Sequence, residues 1–255
     1  MDKGSIKIIG DGFIHSGKYK NIKIIGSAKS KGDVECEELK ICGDTTFVGD
    51  LDIGNIKLIG DGIIYGSLKA KFVKVNGNLE ISGSCEVEEL IVNGNLEMNC
   101  DLKCNNVTIR GDVCVNKNLE GENIRIYGEA RVKENIVCEK IFVEGDIKCE
   151  GLLNAENVEI SPRSKSYCRE IGATNIRVKE REKRFLRFIM QVGGYGRLES
   201  DLIEGDFIEL ENSIVKDVRG KSIDLISKCK IENVEYNEKI NVSKDSTVKN
   251  SIKVS

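Results

Sequence analysis

Tryptophan is absent, histidine and proline occur once each, and aromatic residues make up only 5% of the chain. A single histidine excludes a multi-histidine metal site and leaves little room for histidine-based catalysis. A single proline excludes a proline-rich linker or tail. The scarcity of aromatics predicts a thin core of β-branched and small residues. An excess of one charge is missing too, because 39 basic residues face 42 acidic ones. Nucleic-acid binders carry a strong basic excess, so no nucleic acid is expected as a partner. No stretch approaches the roughly 18 apolar residues of a membrane span. Met1 to Gly12 hold no apolar run of the secretory kind. The expectation is a cytoplasmic protein with reduced thiols, whose ten cysteines need a reason other than disulfides.

What the chain does contain is a repeat. Segments of 17 residues begin at Ile22, Leu39, Ile56, Val73, Leu90, Val107, Ile124, Ile141 and Val158, after a 16-residue version at Ile6. Counting each segment from zero, apolar or small residues fall at offsets 0, 2, 6, 8, 12 and 14. In 73–89 these are Val73, Val75, Leu79, Ile81, Cys85 and Val87. Apolar pairs spaced by two are short strands with one face inward. Glycine stands at offset 4 from Gly10 through Gly145, usually followed by Asp or Asn. Such pairs make corners, because glycine reaches positive φ and Asx side chains bond local backbone. Three short strands and three corners per repeat make one triangular coil. Coils that cannot bury an apolar face alone are stable only as a stack. The pattern therefore predicts an all-β fold, a parallel triangular β-helix solenoid with about 17 residues per coil. Handedness does not follow from it.

Segment 158–175 is one residue too long and carries Pro162 where glycine is expected. Beyond it the alternation by two is lost. Phe185, Phe188, Ile189 and Val192 have helical spacing, with Lys183, Arg184 and Arg187 on the other side. The spacing predicts an amphipathic helix over 179–192, stopped by Gly193 and Gly194. The coil pattern then resumes at Ile203, Ile208 with Leu210, Ile223 with Leu225, and Ile240 with Val242. Three parts are expected: a β-helix block over 1–175, a helical insertion over 176–195 and a second block over 196–255. They would hold about thirteen coils.

Few residues offer chemistry. Cys36, Cys85, Cys104, Cys138, Cys149 and Cys229 fall at inward offsets, where a small apolar residue fits a narrow core. Cys42 and Cys114 face outward, and Cys100 with Cys104 is the nearest approach to a metal motif. Core filling is preferred over metal or redox work. The Asp/Asn ladder at offset 5 reads as turn chemistry, since it lacks the paired glycines of calcium-binding nonapeptides. His15 lies in the first coil, whereas a hexapeptide β-helix acyltransferase places its base in the middle of the stack. No catalytic, cofactor or metal site is expected, and the chain is not expected to be an enzyme. The helix offers three readings: a cover for an exposed end or side, a self-association surface, or a contact with a partner or an anionic membrane. Its contact residues would be Lys183, Arg184, Phe185, Arg187, Phe188, Ile189 and Val192.

The repeated glycine-Asx register, the 17-residue coil and the lack of catalytic groups resemble the bactofilins, polymer-forming cytoskeletal proteins of bacteria. The likeness is best over 6–157 and recurs in 203–255. It implies a right-handed helix that assembles into filaments without nucleotide, its coils stacking end to end between subunits. It also implies a scaffold role, with itself as partner and the inner membrane surface or envelope proteins as further contacts. On this reading the terminal coils carry self-association, through Ile6, Ile8 and Ile14 at one end and Ile252 and Val254 at the other.

Overall fold

The computed structural model describes residues 4–179 and 196–254. The chain divides into two compact units, Met1–Ile124 and Arg125–Ser255. Both are parallel β-solenoids, and together the chain makes about 14 turns of about 17 residues. Among the described residues every regular element is a strand. The helix expected over 179–192 lies outside the described residues, apart from Lys179.

The first unit opens with β1 (Ile6–Ile9), β2 (Gly12–Ile25), β3 (Ala28–Cys42), β4 (Thr45–Phe47), β5 (Leu51–Ile59) and β6 (Gly62–Ile64). It continues with β7 (Leu68–Asn76), β8 (Leu79–Ile81), β9 (Cys85–Asn93), β10 (Leu96–Met98), β11 (Leu102–Arg110) and β12 (Val113–Val115). The chain passes into the second unit within β13 (Leu119–Tyr127). A typical turn therefore alternates one long strand with one of three residues. The repeat predicts three strands per turn, and the long strand holds two of them. In β5, buried Leu51 and Ile53 precede two residues that stay out of the core, and buried Ile56 and Leu58 follow. The third corner is thus a kink in one continuous strand, whose pairing skips a single residue and resumes on either side, Cys36↔Ile53 and Glu38↔Asn55. The first corner is a true break, because glycine there turns the chain through positive φ.

Register is set by column. Ile22 pairs with Leu39, Leu39 with Ile56, Ile56 with Val73, Val73 with Leu90, and Leu90 with Val107. Each inward column is a stack of aliphatic side chains about 4.8 Å apart. Such a core suits β-branched residues and excludes most rings. Phe47 and Tyr19 are inside, but Phe13, Tyr65 and Phe207 are exposed. The glycine column shows why its repeat is strict. Gly94 has φ near +140°, and a Cβ there would press into the carbonyl oxygen of Gly77 one turn below. Any side chain would meet both a backbone strain and a steric block.

The second unit comprises β14 (Glu129–Val132), β15 (Ile136–Glu144), β16 (Asp146–Ser161), β17 (Lys165–Val178), β18 (Arg197–Glu211), β19 (Ser213–Ser227), β20 (Lys230–Val242) and β21 (Thr247–Lys253). Its turns vary in length. The corner at Pro162 adds two residues to the register, so that Lys148 faces Tyr167, and a shift between Cys149 and Leu152 takes one of them back, which leaves 158–175 one residue too long. β17 pairs with β18 from Lys165↔Arg197 to Val178↔Leu210. The coil therefore carries across 180–195 without losing its columns. Two shorter corners place Asn212 and Lys228 at positive φ, near +45° and +52°. Asn212 steadies its corner by donating from Nδ2 to the carbonyl of Gly196 at 2.7 Å.

Candidate interaction surfaces

The strand pattern gives each flat side a set of outward columns, and the corners a set of polar ladders. At the corners, the carboxylates serve the next turn. Asp33 Oδ1 accepts the amide of Asp50 (2.9 Å), and Asp50 Oδ1 accepts that of Ser67 (2.8 Å). Asp61 Oδ1 accepts both the amide and the Nδ2 of Asn78. Asp101 does the same for Asn118, whose two bonds hold its carboxyl below the usual range. Asn93 donates to Asn76 at 2.7 Å, and Asn116 to Asn99 at 2.8 Å. These oxygens are engaged in closing the corners, in line with a turn role. Among the described residues no group of three or more His, Cys, Asp or Glu is placed to hold a metal ion.

The thiols fill the core. Cys36, Cys85, Cys104, Cys149 and Cys229 are buried, and Cys138 is half-buried. Burial pushes the thiols of Cys36, Cys104 and Cys138 up to about 12, so the reactive thiolate is suppressed. Cys42 is exposed and Cys114 half-buried. Cys168 is a further core thiol that the repeat does not place. It stacks directly on Cys149, and two residues added at the Pro162 corner of its segment hide its offset. His15 is exposed, stands edge-on to Phe13, and its carbonyl accepts the Tyr19 hydroxyl at 2.8 Å.

The first turn of the first unit and the last full turn of the second leave apolar strands uncovered among the described residues. Strand β1 pairs through Ile6–Ile9 with Ile22–Ile25, and no described strand lies on its other side. Ile6 and Ile8 are half-buried as a result, while Ile14 is already core at 1% exposure. In the last turns, β21 covers only Lys230–Tyr236. Ile240 and Val242 sit on Ile223 and Leu225 with no described strand above them, and Val242 is 45% exposed. Ile252 lies in an outward column on Glu235, whereas the inward places of β21 are taken by Val248 and Ser251. The amide of Val254 donates to the carbonyl of Tyr236 at 2.9 Å. Ile240 and Val242 are the end residues that the sequence pattern files with the core. Their exposure depends on what stacks above them. Lys183, Arg184, Phe185, Arg187, Phe188, Ile189 and Val192 lie outside the described residues. At the near flank of their segment, Glu209 pairs with Arg177 (3.4 Å) and with Lys179.

One side of the first unit differs from the others. Its first outward column is Lys7, Lys23, Lys40, Lys57 and Lys74, one per turn. Two residues along each strand, the next column is Ile9, Ile25, Cys42 and Ile59. Ile9 is 69% exposed and Ile59 57%. A neighbouring side mixes its signs, and there Lys18 pairs with Glu35 (2.6 Å) and Lys103 with Glu120 (3.0 Å).

No family model matches the chain. It is 36% identical over 108 residues to "Uncharacterized protein YhbE" of Bacillus subtilis (strain 168), covering 42% of this chain and 45% of that protein. It is 35% identical over 105 residues to "Uncharacterized protein YhbF" of the same strain, covering 41% and 42%. The chain thus spans less than half the length of these two relatives. No solved structure matches it.

Proposed function

We propose that this protein is a non-enzymatic structural scaffold of the bactofilin kind, which assembles by stacking its solenoid ends between subunits. The observation that carries the reading is the pair of uncovered apolar strand edges, Ile6 with Ile8 and Ile240 with Val242. An open strand edge presents unpaired amides and carbonyls and templates the next strand. The two edges are different surfaces, so their contact is heterologous and does not close on itself, which yields a filament rather than a dimer. No nucleotide is needed, because strand pairing and apolar burial supply the driving force. In sedimentation velocity the wild type forms large species whose size grows with concentration, and Val242→Lys reduces them to a single small one. Identical sedimentation of the two proteins counts against the reading.

The alternative reading is a binding module that contacts a partner through 180–195. It is favoured by the undisturbed pairing of β17 with β18 on either side of that segment, which makes the segment an addition that the coil does not need. Loss of a partner on replacing the segment, with the coils intact, tests it.

A further inference from the structure

We infer that the lysine–isoleucine side of the first unit is a docking surface for an anionic lipid bilayer. The lysine column sets like charges on adjacent strands about 4.8 Å apart, an arrangement that costs stability. The fold does little to relieve it. Lys40 reaches Glu38 at 2.7 Å, but Lys7, Lys23, Lys57 and Lys74 make no ion pair among the described residues. Elsewhere on the unit, Lys18 and Lys103 each find a carboxylate in the next turn. The row of ammonium groups therefore matches an anionic surface outside the protein. Lysines can also guard a sheet edge against aggregation, but that purpose does not call for exposed isoleucine alongside.

The second column decides the partner. Ile9, Ile25, Cys42 and Ile59 stand two residues from the lysines on the same strands, so both columns project from one flat side. A soluble polyanion would neutralise the lysines and leave the isoleucines in water. A bilayer surface takes both, with phosphates against the ammonium groups and aliphatic tips in the acyl boundary. This is the chemistry of a basic amphipathic helix laid out on a sheet. The surface has a defined extent. One column passes from Lys74 to Ile91 and Thr108, and the other from Ile59 to Asn76 and Asn93, which bond each other. Past the glycine corner, Asp44 and Asp61 spend a carboxylate oxygen on the backbone of the next turn. The surface lies on the side of its solenoid, and of its residues Lys7 and Ile9 belong to β1, the strand edge that the assembly proposal uses.

The test is co-sedimentation of the full chain with sucrose-loaded vesicles of phosphatidylcholine, alone or with about 30% phosphatidylglycerol. The wild type pellets with the anionic vesicles and not with pure phosphatidylcholine, and added salt releases it. Each lysine near an anionic surface is worth about fivefold in partition, so Lys23→Glu with Lys57→Glu lowers binding by at least about thirtyfold. Ile25→Ser with Ile59→Ser lowers it about tenfold with every lysine in place. Phe185→Asp, which alters the other basic segment, binds as the wild type does. All these columns face solvent, so each variant keeps its far-UV spectrum and melting temperature. Absence of wild-type binding, or equal binding by the lysine variant, overturns the inference. So does lysine-dependent binding that the isoleucine variant leaves unchanged and that soluble polyphosphate competes away, since the ligand is then a polyanion.

Discussion

Two buried hydroxyls stand out among the aliphatic columns, because Ser30 Oγ and Thr45 Oγ1 find no hydrogen-bond partner among the described residues. A buried polar group without a partner carries its desolvation cost unrelieved. Thr45→Val keeps the shape and removes the group, so it should raise stability by about 1 kcal/mol in urea unfolding. An unchanged or lower midpoint would mean that the hydroxyl is satisfied. The core thiols give a pH dependence with a definite sign. Burial raises Cys36, Cys104 and Cys138 from 9.0 to about 12. Between those values the unfolded chain loses thiol protons that the folded chain retains, so stability falls as pH rises through that window. Cys104→Val should make the decline between pH 9 and 12 shallower in thermal melts, and an equal slope would contradict it. Much at this scale is legible in the sequence. The inward cysteines, the glycine corners and the Asx ladders follow from the repeat, since one column position imposes one chemistry. Cys168 and the open-ended Ile240 and Val242 do not, because two residues added at the Pro162 corner shift the first and stacking order decides the others.

The element that departs most from the repeat is the turn holding Pro162 and the segment 180–195. Ser161 precedes a corner of Pro162 and Arg163 before Ser164, and Lys179 and Gly196 are the matching flanks one turn on. In the regular turns that corner is a glycine followed by Asp or Asn. Replacing 180–195 by Gly-Asp should therefore restore an ordinary corner, with the strand signal in circular dichroism and the cooperative melt retained. Loss of cooperativity would show that the segment supports the coil. The sequence signals an interruption here, and the pairing of β17 with β18 shows how the coil tolerates it. Loops that leave a strand end and return to the same column add little strain to a ladder. The third corner was less legible. Gly54 and Asn55 after Ile53 look like a break, yet the strand turns there at the loss of one pairing and stays continuous.

At the scale of the whole molecule, the outward columns carry what the repeat cannot specify. Inward positions are constrained by the core in every turn, so their pattern repeats and is easily read. Outward positions are unconstrained by packing, and the lysine and isoleucine columns become visible only when register stacks residues from successive turns on one side. The same holds for the strand edges, whose apolar character is a property of the uncovered first and last turns. Under the proposed assembly, heterologous apolar edges that no described residue caps suit a subunit to linear growth. The most direct measurement is negative-stain electron microscopy of the purified full chain at increasing concentration, without nucleotide. The account predicts unbranched filaments for the wild type and their loss in Ile8→Lys and Val242→Lys, each still folded by circular dichroism. Dispersed single particles at every concentration, or filaments that both variants leave intact, would contradict it.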